Sequence, residues 1–207
     1  MIEKQVLGKH YVEYASQPDE WVSNMEITKH SIVQHVLNAA PVTALSEPIK
    51  VVVLGASDKR YIAIHARVFS DVLGKKVKLS TLDVDTEHLG NGTDVVEHDV
   101  TKAFPHAPYA VVFSHELMKF LTKEEQIEVI KNSYDALGVG GVAMHIMHEP
   151  SIKGTKELRS WQHRVDPDEL LQQLAASDIP ARKLVFQSES TVEWLRETTV
   201  IVLQKAE

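Results

Sequence analysis

Ile49-Lys50-Val51-Val52-Val53-Leu54-Gly55-Ala56-Ser57-Asp58 is the stretch that decides the fold. From Ile49 to Leu54 it is mostly apolar and β-branched, so it reads as a strand buried on both faces; a strand with one wet face would alternate with polar residues. Gly55 ends the strand. Ile62, His65, Phe69 and Val72 then recur at helical spacing, and Gly74 is placed to stop that helix. The same strand-and-helix grammar continues downstream. Val77–Leu82 is a second strand ending at Asp83, Asp94–Val96 a short third and Tyr109–Phe113 a fourth. Lys123–Leu137 is a helix with Ile127, Ile130 and Tyr134 turned inward and Gly138 closing it, and Gly141–Met147 is a fifth strand. Such βαβ alternation predicts a doubly wound α/β domain with a mostly parallel sheet.

Further along, Asp166-Pro167-Asp168-Glu169 signals a helix start: Asp166 caps, Pro167 takes the first helical position, and Glu169 reaches back to complete a capping box. Leu170, Leu171 and Leu174 follow on one face. Lys183–Gln187 and the run from Val192 to Leu203 close the chain with no helix-sized gap between them. Parallel neighbours need a crossover of a dozen residues or more, so this last pair is expected as an antiparallel hairpin. Upstream, Trp21, Met25, Ile32, Val33, Val36 and Leu37 form an apolar stripe on a helix from Asp19 to Ala40, after Pro18 and before Pro41. A shorter helix precedes it with Val6, Leu7, Tyr11 and Tyr14 on one side. The expected division is a helical cap in residues 1–47, its striped helix packed over the carboxyl edge of the sheet as a lid, and an α/β domain in residues 48–207.

Composition bounds the function. At 207 residues, 43% hydrophobic and 25% charged, the chain has the make-up of one soluble globular domain. The 22 Lys and Arg against 29 Asp and Glu leave a net charge of −7, which disfavours nucleic acid and anionic membrane as partners. With no cysteine, disulfides, thiolate metal sites and cysteine nucleophiles are excluded. The longest apolar runs, Ile49–Ala56 and Val139–Met144, are too short for a bilayer, and Met1–His10 carries charge where a signal peptide needs apolar residues. The expectation is a cytoplasmic protein, monomeric or homodimeric.

In a doubly wound sheet, ligands bind outside the carboxyl ends of the strands, where the strand order reverses. The segments to read are Gly55–Arg60, Asp83–Asp85, Asp99-Val100, Ser114-His115-Glu116 and His148-Glu149-Pro150. Asp83 follows Gly55 by one helix and one strand, the place from which one carboxylate can accept from both hydroxyls of a ribose. His145, His148 and Glu149 invite a metal reading. On a strand, though, His145 and His148 point to opposite faces, so no metal site is expected.

Five segments together resemble the class I S-adenosylmethionine-dependent methyltransferases. Val51-Val52-Val53-Leu54-Gly55 resembles that family's first motif, Leu79–Asp83 the acidic end of its second strand, and Glu97-His98-Asp99-Val100 the segment whose Asp meets the adenine amino group. Tyr109–Leu117 resembles the fourth strand and its loop, and Ala136–Gly141 the glycine turn before strand five. The resemblance runs from Ile49 to Leu203, in matching order and with the closing hairpin. It implies a Rossmann-like, seven-stranded sheet and S-adenosylmethionine as cofactor, held by Gly55, Ala56, Ser57, Asp83, Val84, Asp99, Val100 and Ser114. The chain departs from the family at the turn, where Ala56, Ser57 and Asp58 replace further glycines, and at Val53, where an acidic residue is usual. Asp58 brings negative charge to a helix start that would face the cofactor carboxylate, and Lys59 or Arg60 must offset it.

For methyl transfer the protein must align an acceptor lone pair and remove its proton. The candidate bases are His115 and Glu116 after strand four and His148 and Glu149 after strand five, histidine being suited by a pKa near neutrality. Ser114-His115-Glu116 stands where nucleic-acid and protein amino-methylating relatives often carry Asn-Pro-Pro-Tyr, which points to a small-molecule acceptor methylated on oxygen or nitrogen. Two other readings compete: a non-catalytic methyltransferase-like binding protein or partner subunit, favoured by the altered turn, and an NAD-dependent oxidoreductase. The second lacks both a Tyr-x-x-x-Lys pair and a full Gly-x-Gly-x-x-Gly.

Overall fold

A computed structural model describes residues 4–43, 46–90, 92, 94–153 and 158–206. Residues 154–157 of the Glu149–Val165 connection and the side chain of Val6 lie outside the described residues. Helices α1 (Lys4–Ala15) and α2 (Asp19–Ala39) come first. There follow β1 (Ile49–Leu54), α3 (Arg60–Leu73), β2 (Val77–Asp83), β3 (Val95–Glu97) and β4 (Tyr109–His115). The chain continues through α4 (Lys123–Asp135), β5 (Leu137–His148), α5 (Glu149–Lys153) and α6 (Pro167–Ala175), and ends with β6 (Ala181–Gln187) and β7 (Glu197–Gln204).

The seven strands form one sheet in the order β3-β2-β1-β4-β5-β7-β6. The first five run parallel, β7 is antiparallel to both β5 and β6, and so only β7 is reversed. This is the expected doubly wound, Rossmann-like sheet with its closing hairpin. β1 lies at its centre, and Val51, Val52, Val53 and Leu54 are at most 1% exposed, as its unbroken apolar run requires. Val51 and Val53 face a layer of α2 and α3, while Val52 and Leu54 face α4 and α6. Each such fully buried aliphatic side chain contributes about 1.5–3 kcal/mol, so β1 anchors both layers.

Helix ends follow local chemistry. Gly74 takes the left-handed conformation (φ 62°) that stops α3. Thr122 and Glu125 form a reciprocal capping box at the start of α4. At α6, Asp166 caps the amides of Asp168 and Glu169 with Pro167 in the first turn, but the expected box is not completed: the Glu169 carboxylate is drawn to Lys123 Nζ, 2.7 Å away.

Three expectations are revised. The stripe of α2 does not lie over the carboxyl edge. Ile32, Val33 and Val36 are at most 1% exposed against the β1, β4 and β5 face, and only the Trp21–Lys29 end reaches the edge. The position over the edge belongs to α1. The closing run is interrupted, since Glu193–Leu195 is a 3-10 turn with Leu195 buried and β7 begins at Glu197. β5 starts four residues early, at Leu137, through a register shift against β4. There Gly141 has no room for a side chain, because a Cβ would stand 2.9 Å from the Gly138 carbonyl.

Candidate active site

The strand order reverses between β1 and β4, and a cleft opens at their carboxyl ends. Gly55, Ala56, Ser57, Asp83, Val84, Asp99 and Val100 all line it, as do His115 and Glu116. A second cavity adjoins it and shares the Gly55–Ser57 turn, His115, Glu116 and Phe120 as a common wall.

Asp83, at the tip of β2, is 5% exposed. Its Oδ2 accepts from the Ala56 amide (2.9 Å), and its Oδ1 from the Asp85 amide (3.2 Å) and the Tyr11 hydroxyl (3.0 Å). Burial raises the pKa of this carboxyl against the lowering effect of those donors. A carboxylate offers about four lone-pair sites, so Asp83 keeps one for a further donor, and two if Tyr11 withdraws. Tyr11 stacks on His88 (centroids 3.5 Å apart, planes 9° apart), and His88 Nε2 donates to the Ala56 carbonyl at 2.6 Å. In this way α1 lies across the turn. Asp99 accepts from both the amide and the hydroxyl of Thr101. Burial pushes its pKa up, and the Thr101 bonds outweigh it, leaving the group below its usual value.

Gly55 has φ 75°, and a Cβ there would meet the Leu117 side chain at 3.4 Å, so a glycine is suited where the turn passes under the β4 loop. The charge of Asp58 is offset chiefly by Arg60, with Lys59 adding a smaller contribution. The guanidinium donates to Asp58 Oδ2 through Nε (2.9 Å) and Nη2 (2.6 Å). Burial would raise the Asp58 pKa, but these bonds hold it low. Arg60 also bonds the carbonyls of Tyr14, Ala15 and Gln17 at the end of α1.

The acceptor side is built from β4, β5 and α2. Alternation along β4 puts Phe113 and His115 on the α2 face and Ser114 on the other. Accordingly Ser114 Oγ is fully buried against His145 Nδ1 (2.8 Å), and Ser114, expected among the cofactor contacts, is not among the residues that line the cleft. His115 Nε2 lies 2.7 Å from His148 Nε2, and His115 Nδ1 lies 3.0 Å from Lys29 Nζ. His148 Nδ1 is 3.3 Å from the Glu197 carbonyl oxygen. Burial lowers the pKa of both histidines and brings Lys29 down to about 7.

The predicted bases are thus occupied. His148 is wholly buried behind His115, because β5 continues through it to pair with Thr198. His115 has both nitrogens bonded. Glu116 sits at φ 59° with Oε1 on the His148 amide (2.7 Å) and Oε2 on Lys119 Nζ and Ser151 Oγ (2.6 Å each). Burial opposes ionisation of Glu116, yet Lys119 keeps its pKa low. Glu149 lies outside both cavities, opening α5 and facing Lys153 at 3.8 Å.

The residues missed from the sequence are Lys29, Tyr11 and His88. Lys29 had a signal: it falls four positions after Met25 and four before Val33, a lone charge on an apolar stripe. Trp161 stacks on Phe120 (5.2 Å) beside His10, behind the residues that line the two cavities. Among the described residues no group of three His, Asp or Glu side chains is arranged to hold a metal ion, and no helix is long and apolar enough to cross a membrane.

No protein-family model and no curated protein sequence matches the chain. Solved structures do. One is the N-methyltransferase NodS from Bradyrhizobium japonicum WM9 in complex with S-adenosyl-L-homocysteine (TM-score 0.58, 12% identity, 98% of each chain covered). Another is a SAM-dependent methyltransferase from Archaeoglobus fulgidus (0.58, 13% identity, 85% of this chain and 94% of that one). A third is magnesium protoporphyrin IX methyltransferase from Synechocystis PCC 6803 with bound S-adenosyl-L-homocysteine (0.56, 10% identity, 89% and 84%). The chain has the fold of the class I S-adenosylmethionine-dependent methyltransferases.

Proposed function

We propose that this protein transfers a methyl group from S-adenosylmethionine to a small-molecule acceptor, with α1 serving as a cap over the cleft. The observation that carries the reading is Asp83: a buried carboxylate at the tip of β2, bonded to the amide of the turn after β1, with one lone pair left for a ribose hydroxyl and a second if Tyr11 withdraws. The cleft fits the cofactor in other respects too. Gly55 keeps the turn free of a side chain beneath Leu117, and Asp99 retains an unbonded Oδ2. When bound, the cofactor supplies an electrophilic methyl on a sulfonium.

The residues of this chain divide the remaining work. Asp83 holds the ribose, Asp99 faces the adenine, and Gly55, Ala56 and Ser57 receive the amino-acid end with Arg60 neutralising Asp58. The adjoining cavity seats the acceptor, and Phe120, backed by the Trp161 ring, helps to exclude water from the wall the two cavities share. Calorimetric titration with S-adenosylmethionine and S-adenosylhomocysteine, with NAD as control, tests the reading. Micromolar binding of the first two alone supports it. No binding of either turns the assignment to a non-catalytic methyltransferase-like partner, and preference for NAD to an oxidoreductase.

A further inference from the structure

The cavity beside His115 has an unusual charge arrangement. Lys29 is 5% exposed and lines it, yet no carboxylate pairs with it among the described residues. Its Nζ is 3.0 Å from His115 Nδ1 and 5.3 Å from the ring centres of both Tyr61 and Phe113. His65, also lining the cavity and 3% exposed, has no partner for either ring nitrogen. Glu116 is the one carboxylate in the wall, and both its oxygens are engaged.

Proton bookkeeping along the histidine chain fixes its direction. The Glu197 carbonyl can only accept, so His148 Nδ1 carries a proton and its Nε2 is a lone pair. His115 Nε2 must therefore donate to it, which makes His115 Nδ1 the acceptor of a Lys29 N–H. The lone pair of a neutral Lys29 amine is consequently not used by His115. Burial of Lys29 supports a substantial neutral fraction near neutral pH.

We propose that Lys29 is the catalytic base of the acceptor cavity, that His115 and His148 are positioning residues orienting it, and that the acceptor is a planar phenol. This rests on the methyltransferase reading and names the acceptor class for it. Trp21, Tyr14, Tyr61, Phe113, Phe120 and Trp194 give the cavity aromatic walls suited to a flat ring. An amine arriving as its ammonium would meet Lys29 and Lys119 with no free carboxylate to pair with. A phenol instead yields an anion that the lysine neutralises. Its O–H bond breaks and an N–H bond forms on Lys29, and the oxygen keeps the electron pair. That pair bonds to the methyl carbon as the carbon–sulfur pair stays on sulfur, and Lys29 later returns the proton to water. His65 is placed to bond a second polar substituent on the ring.

The test uses 4-nitrophenol, whose phenol and phenolate absorb differently, titrated into the whole protein at several pH values. His10, Tyr14, Tyr61, His65, His115, Glu116 and Lys119 also face this cavity, so the Lys29 contribution is isolated by substitution. Wild type is expected to bind the phenolate and lower the apparent pKa of the probe by about one unit, a tenfold change in ionisation. Lys29→Met removes the shift. Lys29→Arg keeps the phenolate band, because a guanidinium still pairs with the anion, but slows methylation of any phenol that turns over. His148→Asn is expected to reduce the shift while leaving S-adenosylmethionine affinity intact. A probe that binds with an unshifted spectrum, or shifts equally in Lys29→Met, overturns the proposal, as does absence of probe binding. Calorimetry with S-adenosylmethionine on the same samples is read separately. Its failure alongside a Lys29-dependent phenolate shift overturns methyl transfer and leaves the base and its ligand class standing.

Discussion

The two halves of the carboxyl edge solve opposite problems. On the β1–β2 side, one buried carboxylate is surrounded by donors: two amides, and a phenol contributed by α1. On the β4–β5 side, a buried amine and two histidines form a chain without a carboxylate of their own. In the proposed reading the first half holds the ribose hydroxyls. The second gathers groups whose ordinary charge burial suppresses, which is what the proposed proton transfer requires. The contrast separates binding from chemistry, and each half can be disturbed without the other.

The largest effect expected is on acid stability, and it belongs mainly to the acceptor half. His65 and His115 lie well below the usual histidine pKa, His148 lies lower than usual, His10 is near 4 and His145 near 3, burial being the first cause in each. The unfolded chain takes up these protons near pH 6.5, whereas the native state refuses them until lower pH. The histidine contribution to stability is therefore complete above 6.5 and is lost as pH falls towards the folded values, by up to about 1.4 kcal/mol per pH unit for each histidine. Urea midpoints should drop steeply between pH 6.5 and 5; a flat profile would mean that these rings already take up protons in the native state.

Next comes Asp83→Asn. Charge-assisted hydrogen bonds contribute about 1.5–3 kcal/mol, so S-adenosylmethionine affinity should fall about tenfold to a hundredfold in calorimetry, with 4-nitrophenol binding unchanged. A parallel loss of both ligands would break the division between halves. Ser114→Ala should lower the unfolding free energy by about 1–3 kcal/mol, by leaving the buried His145 nitrogen unpaired, and leave cofactor affinity as it was. Weaker cofactor binding in that variant would return Ser114 to the cleft. The smallest effect is expected from Tyr11→Phe. Removing a hydrogen bond of net worth about 0.5–1.5 kcal/mol frees Asp83, and S-adenosylmethionine should bind severalfold more tightly. Weaker binding would show that the phenol stays and helps to hold the ribose.

Most of the sheet was legible because its signals are local. The double burial of β1, the glycine at its end and the short gap before the closing run each follow from a few neighbouring residues. The place of Asp83 was legible for the same reason, since a carboxylate at a strand tip beside a glycine turn needs only topology to be brought to the cleft. The surroundings of the histidines were not. His148 reads as a loop residue until β7 is seen to extend the pairing of β5 to Thr198, which draws the imidazole inside the sheet. Ser114 and His115 are distinguishable by strand alternation, which puts the histidine on the face of Phe113. Lys29 reaches His115 across 86 residues of chain, and only the packing of α2 on that face brings them together. Tyr11 on Asp83 is likewise tertiary, spanning 72 residues.

Arg60 has a consequence beyond neutralising Asp58. One guanidinium joins the carbonyl end of α1, the side chain of Asp19 at the start of α2, and the turn after β1. The hinge of the cover and the floor of the cleft are therefore the same small cluster of atoms. Tyr11 ties the same helix to Asp83 at the tip of β2, so α1 is fastened to the cleft at two places, and both fastenings run through residues that also shape the turn after β1.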